Sequence, residues 1–328
     1  MAERIADQFR RWVLHRLNTR RIARVLREIT PDRTPVVFIV TQDIVHLTPW
    51  CLQNIAPSFA PVVLLNGVSP EDCDWVRRTV KVPTTVLKAS LTGNQQSMLS
   101  HGRTLNSLFA AATRDFCIQD PDCFVVDLKF WESVSLSAQD FAGGPFVEHH
   151  ADRSHLIPST FFLMFNLTNY RRICGEYDID ADVTRTVSQR VRSRMKLLNY
   201  GDNEFPHSFK KYFDTLQAYW VLSFADGLTF REMPGERQAI FHIGGTSYLH
   251  RCEIDPAHWD YWPLSVHYFN LCILELPGME RFRQRFAGLY QQHGSASGLL
   301  KSQPGFAAGW RRVEIDRIVE AISRTSAD

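Results

Sequence analysis

The sequence predicts an α/β fold, in which a doubly wound mixed sheet is preceded by an N-terminal amphipathic helix and followed by a helical C-terminal extension. Three observations predict this fold. The first 29 residues repeat apolar side chains at helical spacing. Residues 36–119 alternate short apolar, β-branched runs with segments that begin as helices do. From about residue 263 the pattern is again helical.

Residues 1–29 predict one helix with two different faces. Its apolar positions recur every three or four residues, and its other face carries Arg4, Arg10, Arg11, Arg16, Arg20, Arg21, Arg24 and Arg27. Such a helix can lie on the anionic inner face of a membrane. It can equally pack its apolar stripe against the body of the protein or a second subunit. The stripe comprises Ile5, Phe9, Trp12, Val13, Leu17, Ile22, Val25, Leu26 and Ile29.

Strands and helices then alternate regularly along the chain. Apolar runs end in a turn or a cap, and Ser69 followed by Pro70 is a typical helix start. The order β-α-β-α-β-α-β implies right-handed crossovers and a parallel core of the sheet. The predicted strands are 36–41, 61–67, 84–88 and 115–119, and the predicted helices are 48–56, 69–80 and 101–113.

The second half of the chain is mixed. We expect strands at 159–166, 228–233 and 239–245, and helix-forming segments at 182–198 and 208–227. The resulting division is a basic helix over 1–30, a catalytic domain over 31–255 and a helical extension over 256–328.

Composition excludes several classes of protein. The chain has 328 residues, of which 45% are hydrophobic, so it can bury one large core or two modest ones. The net charge of +2 is too balanced for a protein that wraps nucleic acid, and we expect no nucleic-acid partner. No run approaches the ~18 apolar residues of a membrane span, and the N-terminus has no signal-peptide pattern, so we expect a cytoplasmic protein. Seven cysteines without a CxxC pair predict reduced thiols and no zinc ribbon.

The segment CIQDPDCFVVD, residues 117–127, carries the main chemical signal. Asp120 and Asp122 flank a proline directly after the fourth predicted strand, where ligands bind in doubly wound sheets. Two carboxylates suit Mg²⁺ or Mn²⁺ when phosphate oxygens complete the shell. Aspartates are also common in ordinary turns, which is the structural alternative.

At this point the chain resembles the GT-A glycosyltransferases, specifically the family-2-like group that uses nucleotide-diphosphate sugars. The resemblance covers roughly residues 35–250 and depends on the order of its segments. These are VVFIVT, VVLLNGVSPED, SHGRTLN, CIQDPDCFV, FDTLQAYWVLSFADGLTF and FHIGGTS. Two departures stand out: Asn66 replaces the usual aspartate that contacts the base, and Phe213 precedes Asp214 where Glu-Asp is common.

The resemblance implies a role for each site residue. Asp120 and Asp122 would bind the cation, with His242, or His250 in reserve, completing its shell. Asp214 would be the base that deprotonates the acceptor hydroxyl, although an aspartate at a helix start is often only an N-cap. Candidate contacts to the nucleotide sugar are Thr41, Asn66, His101, Gly102, Arg103 and Asn106; for His101 and Arg103 a role in opening a helix is the alternative.

The implied function is a metal-dependent hexosyltransferase (EC 2.4). It would move a sugar from a UDP- or GDP-sugar to a glycan or lipid-linked acceptor in surface-glycan or polysaccharide synthesis. A single base with in-line attack would invert the anomeric centre, and retention is the alternative because retaining enzymes share the fold. Two other functions are weighed against it. A sugar nucleotidyltransferase usually has a glycine-rich basic loop after the first strand, which TQDIVHLTPW lacks. A non-catalytic docking protein on a transferase scaffold would not need both Asp120 and Asp122.

Overall fold

The computed structural model describes residues 2–91, 97–149, 156–201, 204–205, 212–234, 239–244 and 262–324. Its main feature is a seven-stranded mixed sheet in the order β10-β6-β9-β4-β1-β2-β3. The sheet strands are β1 (Thr34–Thr41), β2 (Phe59–Asn66), β3 (Thr84–Val86), β4 (Phe116–Gln119), β6 (Asp140–Gly144), β9 (Phe162–Phe165) and β10 (Thr229–Glu232). Two short ribbons complete the strands, formed by β5 (Cys123–Val125) with β11 (Ile240–His242) and by β7 (Val147–His149) with β8 (Leu156–Pro158).

Helices cover both sides of the sheet. Up to residue 177 they are α1 (Ala2–Leu26), α2 (Thr48–Cys51), α3 (Pro70–Thr79), α4 (His101–Ala111) and α5 (Leu167–Tyr177). They continue with α6 (Gln189–Met195), α7 (Gln217–Ala225), α8 (Trp262–Glu275), α9 (Glu280–Arg283), α10 (Ala287–His293), α11 (Ala296–Ser302), α12 (Pro304–Ala307) and α13 (Trp310–Arg324). The predicted fold class, with its N-terminal helix and helical C-terminal region, is therefore confirmed.

The parallel part of the sheet reverses its winding direction at β1. This strand pairs in parallel with β2 on one side and with β4 on the other. In open α/β sheets such a reversal leaves a crevice at the carboxyl ends of the strands, and ligands bind there. Asp120 directly follows β4, so the acidic pair lies beside this crevice.

Alternate residues of β1 point into two separate cores. Val36, Phe38 and Val40 pack with the C-terminal helices, whereas Val37 and Ile39 pack with α1, α4 and α5. All five side chains are buried, which explains the unbroken apolar run in the sequence. The C-terminal helices thus complete one of the two cores, which lie on opposite faces of the sheet.

Several predicted boundaries are wrong. The helix predicted at 208–227 begins only at Gln217, because Leu216 just before it has a φ of 64°. The helix predicted at 48–56 ends at Cys51, and Asn54 has a φ of 57°. The helix-forming segment 182–198 contains α6 and a following 3₁₀ turn. The sequence pattern did not predict β5, β6, β7, β8 and α5.

Candidate active site

The acidic pair is held in a tight turn at the end of β4. The amide of Asp120 donates to the carbonyl of Phe161, and the amide of Cys123 donates back to the carbonyl of Asp120. Pro121 lies between the two aspartates and fixes its own φ. Asp122 is buried, while Asp120 is half-buried. The turn therefore presents both carboxylates in a space that solvent only partly reaches.

His242 reaches the same place through strand pairing. Strand β11 runs antiparallel to β5 and pairs His242 with Cys123. The next amide, that of Ile243, donates to the carbonyl of Asp122. The imidazole Nε2 of His242 lies 3.3 Å from Oδ1 of Asp122, and its ring stacks on Phe161 with centroids 3.5 Å apart. Both contacts fix the orientation of the imidazole.

These three side chains form a donor set for a cation. One ligand atom from each of Asp120, Asp122 and His242 lies within 4.8 Å of the others. Burial, and then the charge of Asp122, raise the pKa of Asp120 well above its usual range. Two close carboxylates that resist joint ionisation are the arrangement that a divalent cation relieves. Two carboxylate oxygens and an imidazole nitrogen suit Mn²⁺ or Mg²⁺, so the residues present fit the metal that the resemblance implies.

The neighbouring thiol belongs to the protein interior. Cys123 is buried, and burial together with the charges of Asp120 and Asp122 raises the pKa of its thiol. A thiol is a metal ligand or nucleophile only as the thiolate. Cys123 thus packs beside the acidic pair as a neutral side chain.

A second group of predicted residues meets at the first turns of α4. A Cβ on Gly102 would lie 2.4 Å from the Cα of Asp182, so only glycine allows this approach. Arg103 Nε lies 3.5 Å from Asp182 Oδ2, and the Asn106 side-chain oxygen accepts from the amide of Ala181. These residues therefore hold the segment around Ala181 against α4.

His101 and Asp214 are near neighbours in this second group. Burial lowers the pKa of His101 to about 4, against the opposing effect of the Asp214 charge, so the imidazole is neutral near pH 7. Its buried Nε2 has no hydrogen-bond partner among the described residues. Asp214 Oδ1 accepts from the amide of Thr215, whereas the N-cap of α7 is Leu216. Asp214 therefore shapes the turn before α7 without being its N-cap.

Thr41 and Asn66 are neighbours at the ends of β1 and β2, where the register pairs them directly. The buried amide of Asn66 donates to the carbonyl of Leu99 and to Thr104 Oγ1, and its oxygen accepts from the amide of Leu99. Asn66 thus ties the loop before α4 to the sheet edge. The predicted site residues therefore form three groups: one around Asp120, one around His101 and Asp214, and the strand-end pair Thr41 and Asn66. His250 lies outside the described residues.

Sequence reasoning missed several residues around these groups. Phe161 supports His242, and Asp182 closes on Gly102. Both are distant in sequence from the residues that they contact, and no local pattern marks them. Gln42, which follows Thr41, donates to Asp72 and is also unmarked in the sequence.

One protein-family model matches part of the chain. Residues 14–170 match the model described as the StrH glycosyltransferase N-terminal domain. This stretch includes β1, β2, α4 and the acidic pair, so the chain contains a glycosyltransferase domain, the enzyme class (EC 2.4) that the sequence predicts. No curated protein matches the sequence.

Several solved structures give partial matches to the chain. The galactosyltransferase LgtC in complex with donor and acceptor sugar analogs is 12% identical, with 44% of this chain and 63% of that chain covered and a TM-score of 0.33. The glycosyltransferase GlyE of Streptococcus pneumoniae TIGR4 is 11% identical, with 61% and 45% covered and a TM-score of 0.35. The bifunctional glycosyltransferase WbbM is also 11% identical, with 73% and 52% covered and a TM-score of 0.38. The chain spans less than two thirds of each of these structures, and TM-scores this low do not define a common fold.

Proposed function

We propose that this chain is a metal-dependent glycosyltransferase that moves a sugar from a nucleotide diphosphate sugar to an acceptor hydroxyl. The observation that carries the proposal is the convergence of Asp120, Asp122 and His242 beyond the carboxyl end of β4, within the matched domain or paired to it. A bound Mn²⁺ or Mg²⁺ would supply positive charge to the diphosphate leaving group.

The residues of the chain have distinct roles in this proposal. Asp120, Asp122 and His242 hold the cation, and the turn after β4 fixes the two carboxylates. Asp214 accepts the proton of the acceptor hydroxyl. The imidazole of His101 beside it is neutral, so it does not form an ion pair with the Asp214 carboxylate. A single base and in-line attack invert the anomeric centre.

We propose that the first turns of α4, with Thr41 and Asn66, border the donor, which is a UDP- or GDP-sugar. The acceptor is a glycan or lipid-linked hydroxyl of surface-glycan or polysaccharide synthesis.

A donor panel tests this function. The intact chain is incubated with UDP- and GDP-sugars in the presence of Mn²⁺, Mg²⁺ or EDTA, and release of the nucleoside diphosphate is measured. We expect hydrolysis of at least one donor, its loss in EDTA, and a fall of about a hundredfold or more in Asp122→Ala, because the leaving group loses its stabilisation.

Asp127→Asn is the matched control, because Asp127 is an exposed carboxylate five positions from Asp122 that only caps the following 3₁₀ turn. It should hydrolyse the donor at the wild-type rate. No hydrolysis of any donor with either metal would contradict the proposal. Release of pyrophosphate from a nucleoside triphosphate and a sugar phosphate would instead favour a nucleotidyltransferase.

A further inference from the structure

The inner face of α1 fastens this helix to the body of the protein. Ile22 and Val25 are buried in the core that α4 shares, and Leu14 is also buried. The buried Asn18 side chain both donates to and accepts from the backbone of Lys88, and Arg21 donates to the carbonyl of Val86. The helix therefore has a fixed orientation, and its outward face is preformed.

The outward face carries two aromatic side chains that the protein leaves in solvent. Phe9 is 62% exposed and Trp12 is 51% exposed, and their rings stack with centroids 5.9 Å apart. The guanidinium of Arg16 lies 4.7 Å from the centroid of the Trp12 ring. Spacings of three and four residues place Phe9, Trp12, Arg16 and Arg20 on one side of the helix. We call these four residues the α1 outer face.

Charge is segregated onto this helix. Helix α1 contains seven arginines and two acidic residues, which gives a formal charge of +5. The whole chain carries +2, so the remaining residues together carry −3. Arg10, Arg11, Arg16, Arg20 and Arg24 are all exposed. The positive charge is thus concentrated next to the exposed aromatic pair.

We propose that the α1 outer face docks on an anionic lipid surface. Aromatic rings of this kind favour the boundary between headgroups and acyl chains, and arginines beside them attract anionic headgroups. Among the described residues no helix is long and apolar enough to cross a bilayer, so the contact is peripheral. The proposal goes beyond the proposed transferase activity and does not depend on it.

The outer face lies at the edge of the sheet that carries the candidate site. His15 contacts Ser107, and Ile29 and Thr30 contact Arg114, so α1 and α4 run in the same direction from the carboxyl edge of the sheet. Trp12 and Arg103 line one cavity of about 650 Å³ between these helices. A bilayer held by Phe9 and Trp12 would therefore lie near the first turns of α4.

Vesicle sedimentation of the intact chain tests the proposal. The wild type should pellet with phosphatidylcholine vesicles that contain phosphatidylglycerol, and far less with phosphatidylcholine alone or at high salt. We expect the double variant Arg16→Glu and Arg20→Glu, and the double variant Phe9→Ala and Trp12→Ala, each to lower the partition coefficient by at least about tenfold. Their thermal midpoints should stay at the wild-type value, because the substituted side chains are exposed.

Two matched controls use the same residue types elsewhere. Trp310 is 53% exposed with Arg311 over its ring, and Arg78 is exposed on α3. Trp310→Ala and Arg78→Glu should pellet as the wild type does. Failure of the wild type to pellet with anionic vesicles would overturn the proposal, as would full binding by the α1 variants. A dimer in sedimentation velocity that Trp12→Ala dissociates, without vesicle binding, would assign the face to a second copy instead.

Discussion

Single residues of the candidate site work against the stability of the folded chain. Asp120 lies beside Asp122 at the end of β4, and burial and this neighbouring charge oppose its ionisation. A fold selected only for stability would place an apolar or amide side chain there. A site that binds a cation through these carboxylates can tolerate this loss of folding stability. The loss can be measured without substrate.

The pH dependence of stability should report the strain at Asp120. The unfolded chain releases this proton near pH ~3.9, whereas the folded chain keeps it to a higher pH. In that window the folded state binds more protons, so the free energy of unfolding falls as pH rises. We expect Asp120→Asn in EDTA to remove this fall and to be more stable above it, by about 1.4 kcal/mol for each unit of raised pKa.

Urea unfolding from pH 4 to pH 8, on the wild type, Asp120→Asn and the exposed control Asp127→Asn, makes the measurement. Identical slopes for the wild type and Asp120→Asn would contradict the assignment of a strained carboxylate. Mn²⁺ added to the wild type should reduce the difference, because the cation stabilises the ionised pair.

At the scale of single residues, the pair of aspartates could be predicted from the sequence, whereas the side chains that support the site could not. Asp120 and Asp122 are one residue apart after an apolar strand, so the pattern and its place are both visible in the sequence. His242 was included through the resemblance alone. Phe161, which stacks on His242, has no signal in the sequence, because the pairing of β4 with β9 and of β5 with β11 brings together two rings that are 81 positions apart.

The loop between β3 and α4 depends on one buried amide. Asn66 makes three hydrogen bonds to Leu99 and Thr104. The glycosyltransferases that the sequence resembles usually have an aspartate at this position. A carboxylate could accept from the amide of Leu99 but could not donate to its carbonyl. The amide at position 66 therefore suits the loop of this chain.

We expect Asn66→Ala and Asn66→Asp each to lower the free energy of unfolding by about 2 kcal/mol, since each leaves a buried backbone group of Leu99 without its partner. Urea unfolding at pH 7 gives the value. Wild-type stability in Asn66→Asp would show that the amide donor is dispensable, and the loop account would be wrong.

Helix α3 is tied to the C-terminal helices through Asp72. This buried carboxylate accepts from Gln42 and from Arg281 and Arg285. Burial alone would raise its pKa, but the bonds to Gln42 and Arg285 outweigh it and the pKa is lowered. Stability from Asp72 is therefore present above the unfolded pKa of ~3.9 and lost as pH falls towards the lower, folded pKa.

Asp72→Asn should lower the free energy of unfolding at pH 7 by about 2 kcal/mol, less than for a fully buried pair because both guanidinium groups reach solvent. The difference from the wild type should shrink below pH 4. Asp74→Asn on the same helix is the control, because the Asp74 side chain is 62% exposed and pairs with Arg77, which is also exposed. Equal effects of the two substitutions would contradict the anchoring role of Asp72.

Elements with a strong local signal were predicted and those without it were missed. Helix α3 has the expected cap, since Ser69 Oγ accepts from the amide of Asp72 and Pro70 follows. Strand β5 was missed, because it has only three residues and is fixed by its pairing with β11, which was predicted. Helix α7 begins later than predicted because Leu216 adopts a left-handed conformation that an apolar pattern does not reveal.

At the scale of the whole molecule, the sheet divides the protein into two cores and gathers the candidate groups at one edge. The order of strands along the chain predicted this edge, because crossovers in parallel sheets have one hand. The position of the C-terminal helices was not predictable, because an apolar helix face does not indicate which part of the protein it packs against. The buried cluster around Phe38 of the central strand also contains Phe269, Phe282 and Ile318 of the C-terminal helices. The predicted domain boundaries stay a prediction.

The most direct test of the account is calorimetric titration of Mn²⁺ into the intact chain with UDP or GDP present. We expect binding with one site per chain, lost in Asp122→Asn, weakened at least about tenfold in His242→Phe, and unchanged in the control Asp127→Asn. His242→Phe keeps an aromatic ring against Phe161 while removing the ligand atom. Binding of equal strength in the wild type and Asp122→Asn, or no metal-dependent binding of either nucleotide, would contradict the central claim that this turn holds the cation.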